Sequence, residues 1–361
     1  MLKESEIIDK LKTVLRDLFD SIDFVKIANM TSEPRNLIPI DQRFRPDLLL
    51  EIQSGSSEPY FLIFEVKSIG QPKYARMAVN QLRMVVNNQK NYYGVFGAPF
   101  ISEESKRICL ENNIGYLDLS GNCQIRFDRV YINVEGKKNP YPTTRPLKSI
   151  FATKSTRGLR VLLCNPQNDW FVKDFAYEAN ISLGQASNLK QRLLDYELIE
   201  EIENQKGTKF RLVNPDMLLN KWVNNYSYRK NTIRNFYSLD DVKTVEKKLN
   251  NYFVNNRFRY AFTLTSGAAR VAPFLRYNKA FCYVNGNLSS IAKDLDFKEV
   301  NTGPNVSLME PYDEGIFYKL QRIDDVQIVS DVQLYLDLKS YKERGEEAAE
   351  FIFEKRLKEQ W

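Results

Sequence analysis

Three residues near the N-terminus have the types and spacing of a metal-dependent hydrolytic site. Asp47 begins the apolar segment DLLLEI, and after seventeen intervening residues Glu65 and Lys67 lie two positions apart in FLIFEVKS. Residues two apart on a strand share one face of the sheet, so Glu65 and Lys67 are expected to point together. Asp47, Glu65 and the Val66 carbonyl would hold Mg²⁺, and Lys67 would position or polarise the attacking water.

The chain contains no histidine, and this narrows the chemistry that it can perform. Serine–histidine and cysteine–histidine catalysis are excluded, as are zinc sites with histidine ligands. The four cysteines are scattered without a CxxC pair, which indicates reduced thiols rather than a disulfide framework. Any hydrolytic reaction must therefore use carboxylates, lysine and a hard metal ion.

The elements around these residues alternate between helix and strand. Amphipathic spacing predicts helices over 4–19, about 73–88 and 102–113. Strands are expected at 46–52, 60–68, 92–99, 115–119 and 124–135. The first 145 residues are therefore predicted to form a mixed α/β domain with a central sheet.

Residues 148–228 are predicted to form a winged helix-turn-helix domain. Its elements are three helices and a hairpin, at 154–166, 170–181, 182–199 and 199–215. The N-terminal side of the third helix would enter the major groove, and the wing would contact phosphates. The candidate DNA-binding residues are Ser182 (which is also the expected N-cap), Gln185, Ser187, Asn188, Lys190, Gln191 and Arg192 on the third helix, and Lys206, Lys209 and Arg211 on the wing.

The distribution of charge favours nucleic acid as the partner of this central part. The whole chain carries a net charge of +6, and residues 148–230 hold 13 basic and 9 acidic residues. Cations on a DNA-binding domain strengthen its contact with phosphates. The acidic residues Glu200, Glu201 and Glu203 beside the wing leave open a winged helix that contacts only proteins.

Residues 229–361 are predicted to form a C-terminal α/β domain, and polar linkers are expected at 137–146 and 224–232. Ser266-Gly267 followed by Asp294 and Asp296 has the wrong order for a nucleotidyltransferase, which needs Gly-Ser before a helix and Asp-x-Asp on the next strand. Residues 231–361 hold 19 basic and 19 acidic residues, so this part favours protein contact or dimerisation over nucleic acid.

Several segments resemble known families. RPDLLL and FEVKS resemble the core of PD-(D/E)XK nucleases, and VFGAPFISEESKRICLENNIGYLDLSGN resembles the Mrr-like branch. In such nucleases the following helix carries a further polar residue, which is Gln81 here. These segments, together with ISLGQASN, VSDVQLYLDL and GEEAAEF, resemble the AbiEi-like antitoxin and transcriptional regulator family of type IV toxin–antitoxin systems.

The expected fold class is α/β (α+β multidomain). Its parts are a PD-(D/E)XK restriction-endonuclease-like domain over 1–145, a central winged helix-turn-helix over 148–228 and a C-terminal α/β domain over 229–361. The resemblance implies a repressor that binds double-stranded DNA at its own operon and counters a nucleotidyltransferase-type toxin without a long-lived complex.

Two alternatives stay open. One is a Mg²⁺-dependent endonuclease of a restriction or phage-defence system, which the winged helix would target; Mg²⁺ is expected only in that case. The other is a protein-interaction module in which the nuclease-like part and the winged helix both keep their fold but no longer act on DNA. A homodimer would match a two-fold operator. The lack of an export signal and of a long apolar run predicts a cytoplasmic protein without a membrane partner.

Overall fold

The computed structural model describes residues 2–34, 45–53, 58–87, 89–140, 150–205, 207–272, 275–341 and 345–361. The helices are α1 (Glu4–Asp20), α2 (Pro72–Val86), α3 (Glu103–Glu111), α4 (Ser155–Cys164), α5 (Val172–Glu178), α6 (Leu183–Asp195), α7 (Pro215–Val223), α8 (Val242–Asn255), α9 (Leu264–Val271), α10 (Leu288–Asp294), α11 (Asp331–Ser340) and α12 (Glu346–Ile352). The strands are β1 (Lys26–Ser32), β2 (Leu48–Gln53), β3 (Tyr60–Val66), β4 (Tyr92–Ala98), β5 (Gly115–Asp118), β6 (Cys123–Phe127), β7 (Val130–Val134), β8 (Ile199–Asn204), β9 (Gly207–Leu212), β10 (Thr232–Tyr237), β11 (Tyr260–Phe262), β12 (Ala280–Val284), β13 (Lys298–Glu299), β14 (Val306–Glu310), β15 (Gln321–Ile323) and β16 (Val326–Ile328).

The chain separates into two compact units. The N-terminal unit comprises Met1–Arg145 with Asp195–Glu197, and the second unit comprises Pro146–Leu194 with Leu198–Trp361. None of the helices in the described part of the chain is long and apolar enough to cross a membrane.

The N-terminal unit contains a sheet in which β1 to β7 follow one another in sequence order. The neighbours β3, β4 and β5 run parallel, whereas β1–β2–β3 and β5–β6–β7 are antiparallel. Alternate residues of β2 and β3 point to opposite faces. Leu48 and Phe64 pack with α1 on one face, and Leu49 and Ile63 pack with α2 on the other.

The helices predicted in this unit are present, but two strand predictions are wrong. Residues 124–135 form two strands rather than one, because Asp128 takes a left-handed φ of 47° and turns the chain between β6 and β7. Strand β1 was not predicted. It is an edge strand whose residues are mostly exposed, so it lacks the apolar alternation that marks a half-buried strand.

The second unit begins with a segment of three helices and a hairpin, α4 to β9, which we call the helix–hairpin segment. Leu159, Phe175 and Leu189, one from each helix, are buried in its core. Gly158 lets these helices approach closely, since a Cβ atom there would lie 2.6 Å from the Leu189 side chain and 2.7 Å from that of Phe175. Trp170 and Phe210 exchange backbone hydrogen bonds of 2.8 and 2.9 Å, which tie the hairpin to the helices. The predicted order of elements is therefore present.

The rest of the second unit is built on a mixed sheet with the order β13–β10–β14–β12–β11–β16–β15. Phe253 of α8, Phe262 of β11 and Ile291 of α10 belong to its core. The prediction of a linker at 224–232 is wrong, because Tyr228 and Asn231 are buried there. The predicted linker at 137–146 lies partly outside the described residues. The proposed boundary at residue 228 falls within this unit and stays a prediction.

Candidate functional site

Asp47, Glu65 and Lys67 lie together where β2 begins and β3 ends. The Asp47 N–H donates to the Phe64 carbonyl at 3.0 Å, so Asp47 extends the pairing of β2 with β3. The Val66 N–H donates in turn to Asp47 Oδ2 at 2.6 Å. Lys67 Nζ donates to Glu65 Oε1, as expected for residues on one face of a strand. The geometry therefore gathers two carboxylates and one ammonium group.

The electrostatics of this cluster are set by burial. Burial raises the pKa of Glu65 to about 7, although the hydrogen bond from Lys67 opposes that shift. Burial also raises the pKa of Asp47, against the hydrogen bond from Val66. Burial lowers the pKa of the Lys67 ammonium, but its hydrogen bond to Glu65 and the nearby carboxylates outweigh this, so the net shift is upward. The carboxyl groups of Asp47 and Glu65 thus share one neighbouring cation, the Lys67 ammonium.

Glu4, an exposed residue at the start of α1, acts on this cluster through its charge. Its charge contributes to the raised pKa values of Asp47, Glu65 and Lys67. No sequence signal connects Glu4 with this site, because it lies 43 residues before Asp47 in a helix with an ordinary amphipathic pattern. Only the packing of α1 against the sheet brings its charge close.

Gln81, expected near the same site, lies on α2. Its side chain is half-buried, and its Oε1 atom is buried without a hydrogen-bond partner among the described residues. A buried amide oxygen without a partner is costly, and a bound water or another group can satisfy it. No contact joins Gln81 to Asp47, Glu65 or Lys67 in the part of the chain that the structure describes, so its role stays a prediction.

The donor set fits Mg²⁺ by its chemistry. Asp47 and Glu65 supply hard carboxylate oxygens, and Mg²⁺ typically binds one or two carboxylates while keeping several waters. Within the described ranges, no group of three or more cysteine, aspartate or glutamate side chains surrounds a common point. An ion here would therefore be held by Asp47, Glu65 and water, and it would neutralise charges that burial disfavours. When bound, it would polarise a phosphate and lower the pKa of a bound water.

The predicted N-cap of α6 forms a reciprocal capping box. Ser182 Oγ accepts from the Gln185 N–H at 3.2 Å, and the Ser182 N–H donates to Gln185 Oε1 at 3.1 Å. This pair satisfies two backbone groups that would otherwise be orphaned at the start of the helix. The Gln185 side chain therefore has a structural partner, and it would have to leave this partner to contact a base through Oε1.

The other candidate residues of α6 divide by exposure. Ser187, Asn188 and Gln191 are exposed, whereas Lys190 and Arg192 are half-buried. The exposed residues carry hydroxyl or amide groups, which can donate to and accept from base edges. The surface of α6 is thus neutral rather than basic.

The basic residues predicted to contact DNA mostly have partners within the protein. Lys190 Nζ lies 2.6 Å from Glu201 Oε1, and Arg211 Nε lies 3.0 Å from Asp169 Oδ1. Lys209 Nζ lies 5.1 Å from the centre of the Phe171 ring. Lys206 lies outside the described residues. Glu201 and Asp169 therefore neutralise two of the cations that were predicted to contact DNA.

A buried polar network connects the helix–hairpin segment to the rest of the second unit. Arg160 of α4 is fully buried, donates to Gln333 Oε1 at 3.0 and 2.7 Å, and lies 4.9 Å from the Trp222 ring. Gln333 Nε2 donates to Asp337 Oδ1 at 2.9 Å, and Tyr226 donates to the same oxygen at 2.5 Å. Burial raises the pKa of Asp337 to about 6. The network explains why these elements form one unit.

Comparison with known proteins supports part of the predicted resemblance. A family model described as "Transcriptional regulator, AbiEi antitoxin, Type IV TA system" matches residues 211–358, which is less than half of the chain. No curated protein matches the chain. The resemblance to this antitoxin family is thus supported for residues 211–358, and for the segments before residue 211 it stays a prediction.

One solved structure is similar in part. It is the crystal structure of a repair endonuclease from Pyrococcus abyssi, with 13% sequence identity and a TM-score of 0.24. The match covers 33% of this chain and 48% of that chain, so the chain spans about half the length of the endonuclease. A similarity this low carries no argument about the fold or the activity of the N-terminal unit.

Proposed function

We propose that the chain is a DNA-binding transcriptional regulator of the AbiEi antitoxin type, whose helix–hairpin segment is a winged helix-turn-helix. The observation that carries the proposal is the match of residues 211–358 to a model of antitoxin regulators. The matched residues share one compact unit with three helices and a hairpin, the element order of a winged helix. A transcriptional regulator needs a DNA-binding domain in addition to the region that the family model matches.

In this proposal α6 enters the major groove with its N-terminal half. Ser187 and Asn188 contact base edges, since both are exposed and carry groups that match the donors and acceptors of base pairs. Lys190 and Arg211 are held by acids, so among the residues that the structure describes Lys209 and the exposed Lys173 of α5 are proposed to contact phosphates. The dependence of affinity on salt is then modest for a DNA-binding protein.

The test is binding of the full chain to a duplex that spans the start of its own gene, against a scrambled duplex. Asn188→Ala should weaken specific binding at least about fivefold, because one bidentate contact to a base is worth about 1–3 kcal/mol. Asn220→Ala, the same change at an exposed asparagine of α7, is the matched control and should bind like the wild type. Equal binding of the two duplexes by the wild type, or full specific binding by Asn188→Ala, would contradict this proposal.

The matched family is one of antitoxins, so we propose a toxin as the partner. The sequence resemblance implies that this toxin is of the nucleotidyltransferase type and is countered without a long-lived complex. Co-expression should then restore growth to cells that express such a toxin from the same operon. The two proteins should not co-purify. Failure to restore growth would contradict the proposal that the chain counters this toxin. A stable complex would contradict the proposal that it does so without lasting contact.

A second candidate function is Mg²⁺-dependent cleavage of DNA by the N-terminal unit. The observation that favours it is the cluster of Asp47, Glu65 and Lys67, in which two mostly buried carboxylates adjoin one ammonium group. Groups whose pKa is shifted by burial together with a specific charged partner are concentrated at catalytic sites. Lys67 would donate to a phosphate or to the attacking water.

Cleavage is tested with supercoiled and phage DNA in Mg²⁺ or Mn²⁺. Activity should disappear in Asp47→Ala and in Lys67→Ala, and it should persist in Glu51→Gln, which alters a half-buried acid on the neighbouring part of β2. Lack of cleavage of every substrate by the wild type would count against this function. Equal cleavage by wild type and Lys67→Ala would exclude the proposed site.

A further inference from the structure

Leu183, the first residue of α6, is 57% exposed although leucine is among the residues most often buried. It does not serve the start of the helix. A hydrophobic staple would use the residue before the N-cap and the fourth helical residue, which are Ile181 and Ala186 here. The capping box of Ser182 and Gln185 already satisfies the helix start. Neither capping nor the staple therefore explains an apolar side chain at this position.

Gly184 is the second residue of α6, and the fold gives no reason for a glycine at this position either. It is exposed, and a Cβ atom built on it would meet no atom within 4 Å. Its φ lies outside the left-handed region, so its backbone conformation suits other residues as well. Glycine in a helix costs roughly 0.5–1 kcal/mol relative to alanine. The missing side chain leaves open space directly beside Leu183.

The chemistry of the surrounding surface indicates what approaches this space. The exposed residues of the first half of α6, Ser182, Ser187 and Asn188, are neutral and can bond to base edges. A surface that binds a phosphate or an acidic partner would be expected to carry cations instead of neutral residues. In the major groove, the apolar group that a leucine can contact is the methyl group on C5 of thymine.

We infer that Leu183 contacts the C5-methyl group of a thymine in the major groove, and that Gly184 provides the space for that base pair to approach. This inference rests on the proposed DNA-binding function and names one determinant of its sequence specificity. The same methyl group also occurs on 5-methylcytosine, so the experiment separates these two sources.

The probe is a duplex selected by the full chain from a random-sequence pool. Each thymine is replaced in turn by deoxyuridine, which removes only the methyl group, and binding is measured by fluorescence anisotropy. The wild type should bind about fourfold more weakly after one of these replacements, the factor that corresponds to about 0.8 kcal/mol for one buried methyl group.

Leu183→Ala should bind the thymine and deoxyuridine duplexes equally, whereas Leu183→Met should keep a difference. Leu239→Ala is the matched control, because it makes the same change at a leucine that is 95% exposed. It should keep the fourfold difference. Gly184→Ala should fold at least as stably as the wild type and bind the selected duplex more weakly, since its methyl group fills the open space. Unchanged binding by Gly184→Ala would refute the role of this glycine.

The outcomes separate the inference from the function on which it rests. If the wild type selects no duplex at all, the DNA-binding function itself is wrong. If it binds but no deoxyuridine replacement weakens binding, or if the effect survives in Leu183→Ala, only the inference is overturned, and protein contact becomes the role of Leu183. In a last duplex, a 5-methylcytosine–guanine pair replaces that thymine–adenine pair. Weaker binding then supports thymine as the target, and equal or tighter binding overturns that assignment.

Discussion

Replacing Glu65 with glutamine removes one negative charge from the cluster of Asp47, Glu65 and Lys67 while keeping the shape of the side chain. The pKa of Glu65 is raised from 4.5 to about 7 by burial, so the folded state holds this proton more tightly than the unfolded state. The contribution to stability is fully present below pH 4.5 and is lost as the pH rises to about 7. At about 1.4 kcal/mol for each pH unit, the loss reaches roughly 3 kcal/mol.

Glutamine cannot ionise, so the stability of Glu65→Gln does not fall in this way as the pH rises. The N-terminal unit of the variant should be more stable than that of the wild type by about 3 kcal/mol at pH 8, and the two should be equal near pH 4. The three tryptophans, Trp170, Trp222 and Trp361, all lie in the second unit. Hydrogen exchange of peptides from β2 and β3, measured in urea, therefore reports the N-terminal unit, and tryptophan fluorescence provides an internal reference that should not change.

Two controls make the result decisive. Glu51→Gln on β2 should change stability by less than about 0.5 kcal/mol at either pH, as expected away from a perturbed site. Addition of Mg²⁺ at pH 8 should stabilise the wild type more than Glu65→Gln, because a ligand that binds only the folded state stabilises it. A variant that is no more stable than the wild type at pH 8 would refute the assignment of a disfavoured charge to Glu65.

Three further predictions concern the second unit. Ser182→Ala removes one half of the capping box and should lower the free energy of unfolding by about 1 kcal/mol, measured by tryptophan fluorescence in urea. Arg160→Met leaves Gln333 Oε1 without its donors and should cost about 1–3 kcal/mol in the same assay. An unchanged free energy of unfolding would show that the buried network does not hold the unit together. Glu201→Gln releases Lys190 for phosphate contact, so DNA binding should tighten at low salt. The slope of log K against log salt concentration should steepen by about 0.9. An unchanged slope would place Lys190 away from DNA.

The sequence by itself determined the features that depend on short-range periodicity. Glu65 and Lys67 share one face because they lie two apart on a strand, and they do form an ion pair. The helices from α1 to α6 and the hairpin of β8 and β9 lie where apolar spacing, caps and turn residues place them. Each of these signals lies within about one helix length of the residues that it governs.

Only the tertiary structure decided the features that depend on burial and on distant partners. The contact of Asp47 with the Val66 N–H arises from the pairing of β2 with β3, and the pKa of about 7 at Glu65 arises mainly from burial. The charge of Glu4 reaches these groups only because α1 packs against the sheet. In the second unit, Lys190 pairs with Glu201 instead of remaining free for phosphate. The physical reason is that a residue's type fixes which interactions it can make, whereas its charge state and its partner depend on which groups the fold brings near and on how much water it removes.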